Sequence, residues 1–365
     1  MKVYFALLLL AVISCTKEKE VSQDSTQKTE DPCFILNQGV NFDETKTSVA
    51  LPTPEDILKN IPAHIKMSDL SDFKKFSYDR KQTDSLRALE TKHFASPQYQ
   101  QKFAEWISAL PEFHYLSKQE NYALAKNKYG LWLIEKTDAD LKPYFLGLTQ
   151  NVYLQDFYGK DQKFLENDQF VMKGTLVDVQ RLSRVPMLPK YEVIKDGVRF
   201  SISLNDIKKD SDKDGFNDLF ENFIGLNPNS ADSDGDGISD FTDSNPKFKS
   251  GTERFTLMYE TLADHAAPPL KYSFTEILTN CPYFQQVNPN SIKVLVYDTA
   301  EKAPIKEDVL DQFFPGKYSK MKTYKDYPEV YFTDFCDQTG DGTISAEFVS
   351  GKWKVDRKYT VTFGM

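Results

Sequence analysis

The feature that most restricts how this chain can fold is the segment from Asp210 to Asp243. Ten carboxylates there meet a single lysine, Lys213, so the segment alone carries the formal net charge of -9 and the rest of the chain sums to zero. Acids packed that densely repel one another in any compact structure, so they either stay in water or are neutralised by cations. The segment is written as two units, Asp210-Ser211-Asp212-Lys213-Asp214-Gly215-Phe216-Asn217-Asp218-Leu219-Phe220-Glu221 and Asp232-Ser233-Asp234-Gly235-Asp236-Gly237-Ile238-Ser239-Asp240-Phe241-Thr242-Asp243, which repeat at an interval of 22 residues.

In loops of this spacing the carboxylates at the first, third and fifth positions converge on one hard cation, and the glycine at the sixth lets the chain reverse. The seventh residue gives its backbone carbonyl, the ninth a direct or water-bridged oxygen, and the twelfth a closing carboxylate. Asp210, Asp212, Asp214, Phe216, Asp218 and Glu221 fill these positions in the first unit, and Asp232, Asp234, Asp236, Ile238, Asp240 and Asp243 fill them in the second. An oxygen-only ligand set without His or Cys points to Ca²⁺ over Zn²⁺ or copper, and a seven-oxygen shell suits calcium better than magnesium. Most charge runs are solvated linkers. The alternation, the placed glycines and the faithful repetition argue against that reading here. Ile238 and Phe241 are expected to form a small apolar seam with Phe220 and Phe223.

From Asp210 to Pro246, including Leu226-Asn227-Pro228 between the units and Asp243-Ser244-Asn245-Pro246 at the end, the sequence resembles the bacterial thrombospondin type 3 repeats, over about a tenth of the chain. The resemblance implies EF-hand-like loops with the ten acids as side-chain ligands. It also implies calcium that rigidifies an extracellular or periplasmic segment, and it is silent on the flanking parts. A third stretch, Asp337 to Phe348, has Thr339 at the third position and Phe348 at the twelfth, with Glu347 displaced by one. It lacks the closing ligand and reads as a degenerate loop, or as a turn at Asp341-Gly342 leading into a hairpin.

The amino terminus reads as an address. Lys2 precedes an apolar run from Val3 to Ile13, which is too short to span a bilayer and has the layout of a secretory signal. Val12-Ile13-Ser14-Cys15 resembles the lipobox of bacterial lipoproteins, which implies that residues 1–14 are removed and that Cys15 carries the lipid. Residues 15–51 read as a flexible tether that begins with a polar stretch, Thr16 to Glu30, unable to bury enough apolar surface to order itself. Thr16-Lys17-Glu18-Lys19-Glu20 is similar to the charged stretch after the lipid cysteine in surface-exposed lipoproteins of the Bacteroidota. The expected location is therefore the cell envelope, on the outer membrane with its periplasmic or surface face left open, and the expected partner is the membrane, reached through the anchor. Export favours a disulfide among Cys33, Cys281 and Cys336. Cys281 with Cys336 is the first expectation because both lie in one segment, and three buried thiols are the alternative.

The remaining chain reads as α+β. Residues 52–205 open with helical spacing, in Ile57, Leu58 and Ile61 after Pro54 and in Phe103, Trp106, Ile107 and Leu110 after Pro97. They continue with short strands such as Gly130 to Ile134 and the alternating run Val198 to Leu204 after an Asp196-Gly197 turn. Residues 206–250 hold the calcium loops. Residues 52–205 are thus expected to form an α+β domain and residues 251–365 a second, smaller β-rich domain, with strands at Ile292–Tyr297, Glu329–Phe332 and Lys358–Phe363 and the calcium segment joining the two. Hydrophobic residues at 40% and charged residues at 27% fit a folded chain. Twenty-seven Phe and nineteen Tyr can stabilise small cores.

No basic stripe supports a nucleic-acid partner. His64, His93, His114 and His265 belong to no metal or catalytic pattern, and no nucleophile elbow or phosphate loop occurs. Two readings remain. One is a calcium-stiffened structural or binding lipoprotein, open to a protein or glycan ligand. The other is a cell-envelope hydrolase of glycan or peptide that uses calcium as a structural ion and needs a cleft with convergent acids.

Overall fold

The helices that begin at Pro54 and Pro97 start where the sequence supplies caps. Thr53 Oγ1 accepts from the Asp56 amide and the Asp56 carboxylate accepts from the Thr53 amide, a reciprocal cap that opens the helix Pro54–Lys59. Ser96 caps Pro97–Lys102 one way, its Oγ accepting from the Tyr99 amide, with proline at the first helical position, and Ala104–Ala109 follows at once. Phe103, Trp106 and Leu110 turn inward from this pair, as their spacing predicts.

The structure is a computed structural model that describes residues 31–37, 53–72, 76, 88–154, 162–180, 190–263, 270–298, 320–324, 326–336 and 340–362. The expected signal segment, Cys15 and His265 lie outside them, and of the expected tether only Asp31 to Asn37 lies within. From Pro32 onward the chain forms one compact unit.

In chain order the strands are β1 (Phe34–Asn37), β2 (Lys66–Asp69), then β3 (His114–Gln119), β4 (Tyr122–Asn127), β5 (Gly130–Lys136) and β6 (Leu141–Thr149). After β7 (Val152–Tyr153) and β8 (Leu165–Glu166) come the long strands β9 (Gln169–Gln180) and β10 (Lys190–Ser203). β11 (Thr275–Leu278) and β12 (Val294–Tyr297) are followed by β13 (Met321–Tyr324), β14 (Tyr327–Cys336), β15 (Gly340–Val349) and β16 (Lys352–Thr362). β3 to β6 form an antiparallel meander, β2-β10-β9-β7 a second sheet with β8 also on β9, β11 and β12 a parallel pair, and β1-β13-β14-β15-β16 a fourth sheet. The fold is α+β with a β-rich C-terminal part, as expected.

The meander lies between two cores. Leu116, Leu124, Leu131, Leu133, Leu146 and Leu148 face Phe170, Met172, Val198, Phe200 and Ile202 of the second sheet. Tyr115, Ala123, Ala125, Trp132, Ile134 and Phe145 face the helices, the acidic segment and the residues Tyr272, Phe274, Leu295 and Tyr297. Burial on both faces explains why β5 reads as a continuous apolar run rather than an alternating one. One core therefore draws on residues from all three of the expected segments. The alternation of β12 places Val294 and Val296 in a third core with the helix Arg254–Ala263 and the C-terminal sheet.

Two expectations are corrected. Asp196-Gly197 is not a turn before a strand. It is an irregularity inside β10, where the pairing with β9 shifts between Lys195 and Val198 and Gly197 has φ 60°. The Asp196 carboxylate steadies it by accepting from the Gly197 amide, Thr175 Oγ1 and the Phe76 amide. The disulfide joins Cys33 to Cys281 rather than Cys281 to Cys336, with Cα atoms 4.7 Å apart. β1 pairs in parallel with β13 at the edge of the C-terminal sheet, which carries Cys33 into the third core, where the Tyr259 hydroxyl donates to its carbonyl.

This bridge closes a loop across 248 residues of sequence. Replacing both cysteines with alanine is expected to destabilise the protein by about 2–5 kcal/mol. Thermal unfolding with and without reductant reads that loss, and a non-reducing peptide map should join Cys33 to Cys281.

Candidate metal centre

The two acidic loops follow the short helix Leu204–Ile207 and are separated by the helix Asp218–Ile224, which ends at Gly225 with φ 82°. Phe216, Phe220 and Ile224 anchor this helix in the core beneath the meander. Gly215 and Gly237, the sixth residues of the loops, have φ 117° and 96°, backbone that L side chains rarely adopt.

Within each loop the backbone amides wrap the acids. Asp210 accepts from Lys213 N at 2.7 Å, Asp212 from Asp214 N at 3.2 Å, and Asp214 from Phe216 N at 2.7 Å. In the second loop Asp232 accepts from the amides of Gly235, Asp236 and Gly237, Asp234 from Asp236 N, and Asp236 from Ile238 N. The carboxylates are thereby gathered into two triads, Asp210-Asp212-Asp214 and Asp232-Asp234-Asp236. In each, one ligand oxygen per residue lies within 4.8 Å of the others, so each triad can hold a metal ion.

Asp218 and Asp240 have a different place. Asp218 accepts from Ser211 N, Ser211 Oγ and Lys209 Nζ, and Asp240 from Ser233 N and Oγ. They brace the loops by tying the ninth residue to the second. Outside the triads, Glu221 and Asp243 at the twelfth positions are 0% and 1% exposed. Neither Glu221 oxygen has a hydrogen-bond partner, nor do Asp212 Oδ2, Asp234 Oδ2 and Asp243 Oδ2. Lone buried acceptors are expensive to leave unpaired, and here they recur at the same two positions of both units.

The electrostatics follow. Burial, with the charges of Asp212 and Asp214 behind it, pushes the Glu221 carboxyl up to about 9. Burial likewise raises Asp214, Asp234 and Asp243, each to about 6. Asp210 and Asp240 are raised as well, again chiefly by burial. By contrast, the Gly237 amide holds Asp232 below its usual range. Asp218 is held low against its own burial by Lys209 and Ser211.

The expected apolar seam is only partly present. Phe241 stacks edge-on against Phe216 at 5.2 Å, and Phe216 against Phe220 at 5.2 Å, while Ile238 is 39% exposed. Loop one leads into a helix that carries its seventh residue inward. Loop two leads into a turn, and its seventh side chain stays outside.

Both loops are tied to the layers on either side. Asn217 donates to the carbonyls of Phe145 and Ile207 and accepts from the Phe145 amide, fixing the first loop to β6. Asn245 donates to the carbonyls of Gln285 and Val287, and Val294 N donates to Ser244 O, fixing the second to β12 and the turn before it. Asp214 Oδ2 accepts from Phe241 N at 3.1 Å and so joins the two loops. Asn217, Asn245 and the incoming Lys293 escaped the sequence reading, because short polar side chains and a lone lysine carry no local pattern.

Elsewhere, a cavity of about 200 Å³ is lined by His93, Ser96, Gln98, Tyr99, Lys102, Phe103 and Leu116, without a carboxylate. The third stretch runs as β15 from Gly340 on, paired with β14, and not as the exit helix of an EF-hand. No protein-family model, curated protein or solved structure matches the chain.

A carboxyl with a raised folded-state pKa binds its proton more tightly folded than unfolded, so its stabilising effect is complete below the unfolded pKa and is lost as pH rises through the folded value. For Glu221 that window runs from about 4.5 to about 9. At neutral pH the metal-free fold bears about 3 kcal/mol for keeping this one group protonated. In chelator the melting temperature is expected to rise as pH falls from 8 to 5, and with saturating metal it should fall instead, because ligands bind deprotonated. Glu221→Gln should raise the chelator curve at pH 8 and flatten it.

Proposed function

We propose that this chain is a calcium-binding lipoprotein of the cell envelope, in which two Ca²⁺ ions stiffen the junction between the meander and the β11-β12 layer. The observation that carries the reading is the set of buried, unpartnered carboxylate oxygens on Glu221 and Asp243, repeated at one interval together with those of Asp212 and Asp234. An oxygen-only donor set suits a hard cation, and its number of potential ligands suits calcium. In this reading Asp210, Asp212, Asp214, the Phe216 carbonyl and Glu221 hold one ion. Asp232, Asp234, Asp236, the Ile238 carbonyl and Asp243 hold the other, and Asp218 and Asp240 brace the loops or act through water. The resemblance of Asp210 to Pro246 to thrombospondin type 3 repeats supports the same reading, as does the tying of each loop to a different layer through Asn217 and Asn245.

An ion in this place is structural. Affinity on the order of 10⁻⁴ to 10⁻³ M is expected, as for extracellular modules. At calcium a hundredfold above Kd each site then adds about 2.7 kcal/mol. Thermal unfolding in chelator and in excess calcium should show a clear upward shift, lost when Asp212 and Asp234 are both replaced with alanine. No shift would leave the segment a solvated linker.

The amino-terminal sequence supports the other half of the proposal, a lipid on Cys15 that holds the chain to a membrane, with the outer membrane as the intended one. Labelling with a palmitate analogue should mark the full-length protein expressed in a bacterial envelope. Cys15→Ser should abolish the label and release the protein from the membrane fraction.

A further inference from the structure

Lys293 stands just before β12, and its side chain runs toward the acidic loops. Its ammonium donates to the Phe241 carbonyl and lies over three rings, with centroid distances of 5.5 Å to Phe216, 5.4 Å to Phe241 and 5.2 Å to Phe274. Burial disfavours its charge, and the charges of Asp243, Asp214 and Asp240 oppose that effect through space. These belong to different loops. Asp243 closes the second, Asp214 is the last member of the first triad and bonds the Phe241 amide, and Asp240 braces the second loop. One peptide segment at Phe241 thus has a first-loop carboxylate on its amide and the lysine on its carbonyl.

Burying an ammonium is costly, and it is tolerated where carboxylates and aromatic faces compensate. Lys209 reaches the same segment differently. It is mostly exposed and engaged by Asp218, outside the triads. Resting on the calcium reading above, we propose that Lys293 is a built-in counter-cation shared by both loops. It offsets the ligand charge when no ion is bound, keeps the calcium-free chain folded, and sets calcium affinity lower than the acids alone would give.

The proposal makes opposite demands on the two states, which packing alone does not. Lys293→Met keeps the apolar stem beneath the three rings and removes the charge. In the full chain, Lys293→Met is expected to melt lower than the parent in chelator and to recover most of that loss in excess calcium. By calorimetric titration it should bind calcium about tenfold more tightly at low salt, and the gap should narrow in molar salt. A variant that folds only with calcium present supports the proposal in stronger form. An equal loss of melting temperature with and without calcium, or a variant that folds in neither condition, overturns the proposal, as does unchanged or weakened affinity. These outcomes leave the calcium reading intact, because the parent still binds. Absence of calcium binding by the parent itself overturns that reading, and the role of Lys293 with it.

Discussion

The Glu221 carboxylate is the constraint on which the acidic segment depends. It is carried into the core by a helix whose inward apolar residues are Phe220 and Ile224, with Phe216 buried just before it, and it arrives with neither oxygen bonded. A carboxylate in that position is stable only as a neutral acid or beside a cation. Asp212 and Asp214, which share its loop, make the neutral form more favourable still. The second loop repeats the problem in part at Asp243, whose Oδ1 accepts from the Asn245 amide while its buried Oδ2 has no partner, with Asp234 as its neighbour. Two separate loops arranged to the same incomplete end are hard to explain as solvated acids, and the proposed pair of calcium ions completes both.

The rest of the fold gives those loops a mechanical position. The meander β3 to β6 is covered on one face by the β9-β10 sheet and on the other by a core that reaches Leu295 and Tyr297 of β12. The acidic segment crosses that second face. Asn217 holds one end against β6, Asn245 holds the other against the turn before β12, and the Asp214 to Phe241 hydrogen bond joins the loops between them. Ordering the loops therefore orders the contact between two layers, which is the sense in which the proposed ions would stiffen this protein. The Cys33–Cys281 bridge acts independently, on the third core.

What could be read in the sequence followed local rules. The loop spacing, the helical spacing after Pro54 and Pro97, the continuous apolar run of β5 and the alternation of Val198, Phe200 and Ile202 all express a period or a neighbour relation within a few residues. What could not be read depends on distant partners. Asp196-Gly197 looks like a turn until β9 lies beside it, and Cys33 looks too remote for Cys281 until β1 joins β13. Ile238 and Phe216 hold the same place in their loops, yet one is exposed and the other buried, because only the first loop runs on into a helix. Lys293 had no signal at all. Its meaning comes from three rings and three carboxylates brought to it by separate segments.

The most direct measurement is a calcium anomalous difference map from crystals grown with the ion. The account requires two peaks, one within the loop that ends at Glu221 and one within the loop that ends at Asp243, each contacting the closing carboxylate and the triad. Crystals with calcium present, no peak in either loop and the Glu221 carboxyl hydrogen-bonded to protein groups would contradict it.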